Sequence, residues 1–171
     1  MNTFKDIIFA LSVLLYGCAN PVIASASSHT IVQNHPQESA YSGGSVVHHL
    51  IHSYHLWRGV KYKFGGTTAK GIDCSSYIQH VFLEEFSVLL PRTTSEQIHK
   101  GRPVSQAELH PGDLVFFNTG AGKQHVGVLI NRHEFIHASS SHGITISDLN
   151  RSYWQTRYMA SRRLHELADI C

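Results

Sequence analysis

The stretch PGDLVFFNTGAGKQHVGVLINRHEFIHAS, Pro111 to Ser139, decides the fold of this chain. After the turn signal Pro111-Gly112-Asp113, apolar residues come in short buried runs and lose helical spacing. Leu114 to Phe117 reads as one strand, Val126 to Ile130 as a second and Glu134 to Ala138 as a third. Gly143 to Ser147 makes a fourth, and a last strand around Tyr158 to Arg163 closes the series. The loop Asn131-Arg132-His133 fixes the register of the central hairpin. With three loop residues, Ile130 pairs with Glu134 and Gly127 with His137. His125 and His137 then share one sheet face as diagonal neighbours, about 7–8 Å apart at Cα. A two-residue loop would put them on opposite faces.

Upstream of this sheet the period is helical. Val47, Leu50, Ile51, Tyr54 and Trp57 form an apolar stripe over Ser45 to Arg58, and Gly59 is the stop. His48, His52 and His55 form a second stripe, read as a solvated polar face because no carboxylate or cysteine accompanies it to make a metal site. Tyr62 to Gly66 is a short extended piece ending in a glycine turn. The next helix runs from Cys74 to about Phe86, capped by Asp73 and burying Tyr77, Ile78, Val81 and Phe82. Another begins after Pro91-Arg92, with Thr93 or Thr94 as cap and Glu96 or Gln97 at the third position. Helices first and an antiparallel sheet of about five strands afterwards make the fold α+β. No internal repeat is visible.

A chain of 171 residues fits one domain with a proper core. A formal charge of +2 is too small to argue for nucleic acid. Fourteen histidines would add positive charge in mildly acidic surroundings, which favours a polyanionic surface. The amino terminus is more decisive. Lys5 precedes an apolar run from Ile7 to Tyr16, too short to span a bilayer and right for a signal-peptide core. Two processing readings stand side by side. Leu15-Tyr16-Gly17-Cys18 resembles a lipobox in which Cys18 would be lipidated, although Tyr16 stands where a small residue is usual; Ala24-Ser25-Ala26 offers an ordinary cleavage site. Both place the protein outside the cytoplasm. Residues 1–26 are thus read as the leader, 27–43 as a linker and 44–171 as the folded domain.

Three widely spaced cysteines give neither a disulfide framework nor a zinc site, and Cys171 is the terminal residue. Cys74 is different. It opens a helix, where free backbone N–H groups and the helix dipole favour a thiolate, so its pKa is expected to be lowered. The rival is a small core cysteine, but Asp73 before it and Ser75 and Ser76 after it argue for a nucleophile that attacks an acyl carbon. His125, at a strand start near Gly127, suits the general base. His137 would bond the far nitrogen of His125 and set its tautomer, the third role of a triad; its rival is a satisfied core histidine. Tyr62 either aims its hydroxyl at the site, helping the Cys74 N–H hold an oxyanion, or is a core tyrosine. Ser75 and Asp73 are supporting residues. No metal and no organic cofactor is needed. The same three residues, Cys74, His125 and His137, could serve a thiol amidase or acyltransferase on another amide or ester, and a non-catalytic binding module is the other rival. A reactive thiol at neutral pH would favour catalysis, and an inert one binding.

These residues resemble the NlpC-type cell-wall cysteine peptidases, a papain-like group, from about Ser45 to Leu164. The likeness is carried by Gly59-Val60-Lys61-Tyr62-Lys63-Phe64-Gly65-Gly66, Gly71-Ile72-Asp73-Cys74-Ser75, Leu90-Pro91-Arg92-Thr93 and Pro111 to Phe117. It continues through His125-Val126-Gly127-Val128, Phe135 to Ser139, Tyr153-Trp154 and Ala160 to Arg163. The resemblance implies hydrolysis of peptide bonds in the stem or cross-link of peptidoglycan, next to D-amino acids and diaminopimelate. It also implies the triad Cys74, His125 and His137, a role at the position of Tyr62, and an envelope location as a lipoprotein or secreted protein. The expected partner is a peptidoglycan peptide. Membrane contact would come only through a lipid anchor, and the chain would act as a monomer without nucleic acid. Two positions depart from the pattern: Ser76 stands where glycine is common and Lys61 where proline is frequent. Ser76 is expected to narrow the groove beside the nucleophile.

Overall fold

The computed structural model describes residues 38–167. The apolar run at 7–16, Cys18, the cleavage site near Ala26, the first part of the linker and Cys171 lie outside the described residues. Helix α1 (Glu38–Trp57) is followed by two short strands, β1 (Thr67–Thr68) and β2 (Gly71–Ile72), and by α2 (Cys74–Phe86). A one-turn helix α3 (Thr94–Gln97) leads to β3 (Arg102–Pro103). Then come β4 (Leu114–Asn118), β5 (Gln124–Leu129), β6 (Glu134–Ser139), β7 (Gly143–Asp148), α4 (Ser152–Gln155) and β8 (Tyr158–Arg163). The main sheet has six strands, all antiparallel, in the order β3-β8-β4-β5-β6-β7. One strand more than expected appears because β3 is a two-residue edge strand that carries no period of its own. The first helix starts at Glu38 and takes in residues 38–43, which the composition had assigned to the linker.

The sheet is covered on both faces. On one, Leu114, Phe116, Val126, Val128 and Ile136 meet Val46 and Leu50 of α1 and Tyr77, Val81 and Phe82 of α2. On the other, Val115, Phe117, Leu129 and Phe135 pack with Val104, Leu109 and Trp154. This is why Leu114 to Phe117 reads as a continuous apolar run: alternate residues enter different cores. Fully burying side chains of this size is worth about 1.5–3 kcal/mol each.

The central hairpin has the register its three-residue loop requires. Val128 pairs with Ile136 and Leu129 with Phe135, and the Ile130 N–H donates to the Glu134 carbonyl at 2.9 Å. Asn131 stabilises the loop by accepting the His133 and Glu134 N–H groups on Oδ1, each at 2.8 Å. The next hairpin also has a three-residue loop, so His137 pairs with Thr145 and Ser139 with Gly143.

The histidine stripe on α1 is not simply solvated. His49 and His52 each place Nδ1 on the Glu85 carboxylate of α2, at 2.9 and 2.7 Å, and Trp57 packs against His80 with ring centroids 4.7 Å apart and planes tilted by 45°. A carboxylate does accompany part of the stripe, from another helix. The three groups tie α1 to α2.

Candidate active site

The helix carrying Cys74 is fixed at its first turn by one carboxylate. Asp73 Oδ1 accepts the Ser76 N–H at 2.8 Å, the expected N-cap, and the Ser75 hydroxyl at 3.1 Å. Asp73 Oδ2 accepts the Gly65 N–H at 3.1 Å, which joins the 62–66 segment to the helix start. Arg92 closes the set, donating to both Asp73 oxygens at 3.1 and 2.6 Å and to the Ser75 hydroxyl at 3.0 Å. The side chains of Ser75 and Asp73 therefore hold the first turn of the helix that carries Cys74. Ser76 is 1% exposed and lies outside the lining of the groove, so it does not narrow it as expected.

Cys74, His125 and His137 line one groove of about 1420 Å³, together with Tyr62, Thr94 and Trp154. His125 Nε2 and His137 Nδ1 are hydrogen-bonded at 2.8 Å, and His137 Nε2 lies 2.9 Å from Ser147 Oγ. Trp154 stacks on His125, ring centroids 5.7 Å apart with planes at 23°, and meets His137 edge-on at 5.0 Å. Phe135 also packs against His137, ring centroids 4.9 Å apart, and touches Trp154 at 5.0 Å. The Cys74 sulfur sits 3.7 Å from Thr94 Oγ1 and against the backbone N–H groups of Val126 and Ser75. Tyr62 is half-buried at the groove, near enough for Cys74 and Asp73 to help raise its phenol pKa beyond the effect of burial.

Burial decides the charges here. It pushes the Cys74 thiol up from 9.0, and Asp73 adds to the rise, while hydrogen bonds from Thr94, Val126 and Ser75 pull the other way without winning. The expected lowering by the helix start is therefore overturned: the thiol is 6% exposed, and desolvation outweighs the local donors. Burial also lowers His125 from 6.5 to about 4, and lowers His137 well below 6.5, with the neighbouring His125 and His142 adding to it. The resting site is a neutral thiol beside two neutral imidazoles.

A testable consequence concerns acid. Between pH 6.5 and about 4 the unfolded chain protonates His125 and the folded chain does not. That stability is complete above 6.5 and is lost as pH falls toward 4. Urea midpoints measured at pH 7.5, 6 and 5 are expected to fall on acidification, and to fall less in His125→Gln; parallel curves for the two proteins would contradict this assignment.

Sequence reasoning missed Arg92, Thr94, Ser147 and Trp154 as parts of this site. For Ser147 a signal existed. Its hairpin loop, Ser140-Ser141-His142, is also three residues long, and the same counting puts Ser147 diagonal to His137 on the same face.

Residues 59–163 match the NlpC/P60 family model. The chain belongs to the NlpC/P60 family. It is 39% identical over 166 residues to the murein DD-endopeptidase MepS/murein LD-carboxypeptidase of Escherichia coli strain K12, covering 91% of this chain and 88% of that protein. It is 49% identical over 115 residues to a probable endopeptidase NlpC homolog of Haemophilus influenzae strain Rd, covering 67% of this chain and 61% of that one. Among solved structures, an NlpC/P60 family protein from Bacillus cereus ATCC 10987 superposes with a TM-score of 0.62 at 28% identity, covering 68% of this chain and 39% of that one. NlpC/P60 membership fits the helices and antiparallel sheet described above, and makes the architecture papain-like.

Proposed function

We propose that the chain is a cysteine peptidase that cleaves peptide bonds in the stem peptides or cross-links of peptidoglycan, with Cys74 as nucleophile, His125 as base and His137 as its orienting partner. The observation that carries this reading is the hydrogen bond between His125 and His137 in the groove that holds Cys74. The activities named for the NlpC/P60 relatives support the substrate class.

With Nε2 of His125 engaged, Nδ1 is the nitrogen left to take the Cys74 proton. The thiolate attacks the carbonyl carbon, and the carbonyl oxygen takes the negative charge. Backbone N–H donors at the start of α2, with the Tyr62 hydroxyl, stabilise that oxyanion. His125 then protonates the departing amine, which leaves an acyl-enzyme thioester. Water, deprotonated by the same imidazole, releases the acid and the thiol. None of these steps requires a metal or an organic cofactor. The protein works in the bacterial envelope as a monomer, either anchored through a lipid on Cys18 or released after cleavage near Ala26.

The test is incubation of the purified chain with peptidoglycan and with defined muropeptides, products read by mass spectrometry beside a Cys74→Ala control. Cleavage that disappears in the control is expected, and the product masses name the bond. Binding of peptidoglycan by both proteins with cleavage by neither would overturn the enzyme reading in favour of a binding module.

A further inference from the structure

We propose that Ser147 is a positioning residue that sets the tautomers of both histidines and thereby keeps the proton-accepting nitrogen of His125 turned toward Cys74. The proposal rests on the reading of Cys74 as nucleophile and His125 as base. Three strands contribute one side chain each to a diagonal line across the sheet: His125 on β5, His137 on β6 and Ser147 on β7. His125 precedes by two residues the position opposite His137, and Ser147 follows by two residues the Thr145 that pairs with it. The links are 2.8 Å from His125 Nε2 to His137 Nδ1 and 2.9 Å from His137 Nε2 to Ser147 Oγ.

Each of these bonds holds one proton, so the line has a direction. A neutral imidazole has one N–H and one lone pair. For His125 to accept from the thiol at Nδ1, its proton must sit on Nε2. His137 must then accept at Nδ1 and carry its own proton on Nε2, where Ser147 Oγ accepts it. Ser147 is half-buried and lines the groove, so its hydroxyl proton points outward while its oxygen accepts. In the reverse direction Ser147 would donate to His137, His137 would donate to His125, and the His125 N–H would point at the sulfur. That arrangement has no base.

Removing the hydroxyl makes the reverse direction the favoured one. His137 is 2% exposed, and Trp154 and Phe135 close around it. An N–H at Nε2 with no acceptor is costly in such a place. Moving the proton to Nδ1 satisfies it on His125 Nε2 and turns His125 into the unproductive tautomer. The geometry around the rings need not change.

The test uses the full chain. Ring nitrogens are followed by 15N NMR on the resting protein at pH 7.5, with His125→Gln and His137→Gln for assignment, and kcat and KM are measured on a muropeptide. In the unmodified protein both rings are expected to carry their proton on Nε2. In Ser147→Ala both are expected to move it to Nδ1, and kcat to drop roughly 10- to 100-fold, within the range a positioned base supplies, at unchanged KM. Ser147→Thr, which keeps the hydroxyl, restores both readouts. Nδ1 protons in the unmodified protein, unchanged tautomers in Ser147→Ala, or a Thr variant no better than Ala would each overturn the proposal. Failure of the underlying reading looks different: Cys74→Ala would retain turnover whatever the tautomers are.

Discussion

Replacing His125 with Ala is expected to lower kcat at pH 7 by roughly 10²- to 10⁴-fold, the contribution of a positioned general base. The reason lies in the state of the thiol. Were Cys74 a standing thiolate, loss of the imidazole would leave the nucleophile in place and cost less. Burial instead holds the thiol above its ordinary 9.0, and burial holds His125 neutral with a pKa of about 4, so the proton must move during the reaction. The residual rate of His125→Ala is accordingly expected to climb with pH through the alkaline range, as hydroxide does what the imidazole did. The unmodified protein is expected to show no such climb. Rates of muropeptide cleavage from pH 6 to 10 would decide the matter: a variant with unimpaired kcat, or one whose residual rate is flat with pH, contradicts base catalysis by His125.

For the same reason the thiol's reactivity alone does not separate an enzyme from a binding module. A slow reaction with an alkylating probe is what a working site of this kind would give at rest, so the discriminator has to be turnover.

The largest loss of stability is expected from Asp113→Ala, about 1.5–3 kcal/mol, the range for hydrogen bonds to a charged group, in a pair that is buried on the carboxylate side and half-buried on the other. Asp113 is 1% exposed and sits where the turn at Pro111-Gly112 enters β4. Its Oδ1 accepts Arg163 Nε and its Oδ2 accepts Arg163 Nη2, both at 2.7 Å, while Oδ2 also accepts the His110 N–H at 2.9 Å. Arg163 in turn donates to the Glu108 carbonyl at 2.7 Å. One carboxylate thus pins the start of β4 to the end of β8 and to the loop before it. Removing it leaves a guanidinium in a half-buried place and a backbone N–H without its acceptor. Denaturant unfolding measures the change, and a loss below about 1 kcal/mol would put the pair with exposed ones instead.

What the residues disclosed and what they withheld follow from the range of the interactions. The hairpin from β5 to β6 was legible because an odd loop and a period of two leave one register that puts both histidines on one face. The Asp73 cap was legible because it acts over three residues. The two-residue strands β1 to β3 were not, since a pattern cannot repeat within them. Nor was the early start of α1: Ser39 to Gly44 is rich in Ser and Gly, and propensity is a weak guide where neighbours decide. Arg92 and Thr94 reach Asp73 and Cys74 across 19 and 20 residues, and Trp154 reaches His125 from α4. Such contacts exist only once the chain is folded. The charge state of Cys74 was misread for a related reason: the helix start is visible in the sequence, whereas the depth at which it is buried is not.

That depth has a bearing on how long the protein lasts. A cysteine reacts with peroxides and disulfides as the attacking thiolate, so one that rests as the neutral thiol reacts with them slowly. Among the described residues no second cysteine stands near to form a bond with it. In an oxidising compartment a nucleophile of low pKa would be spent on such side reactions between encounters with substrate. On the proposed mechanism the Cys74 thiol gives up its proton during the attack on a bound carbonyl, so the burial that holds it neutral at rest would also protect it between encounters.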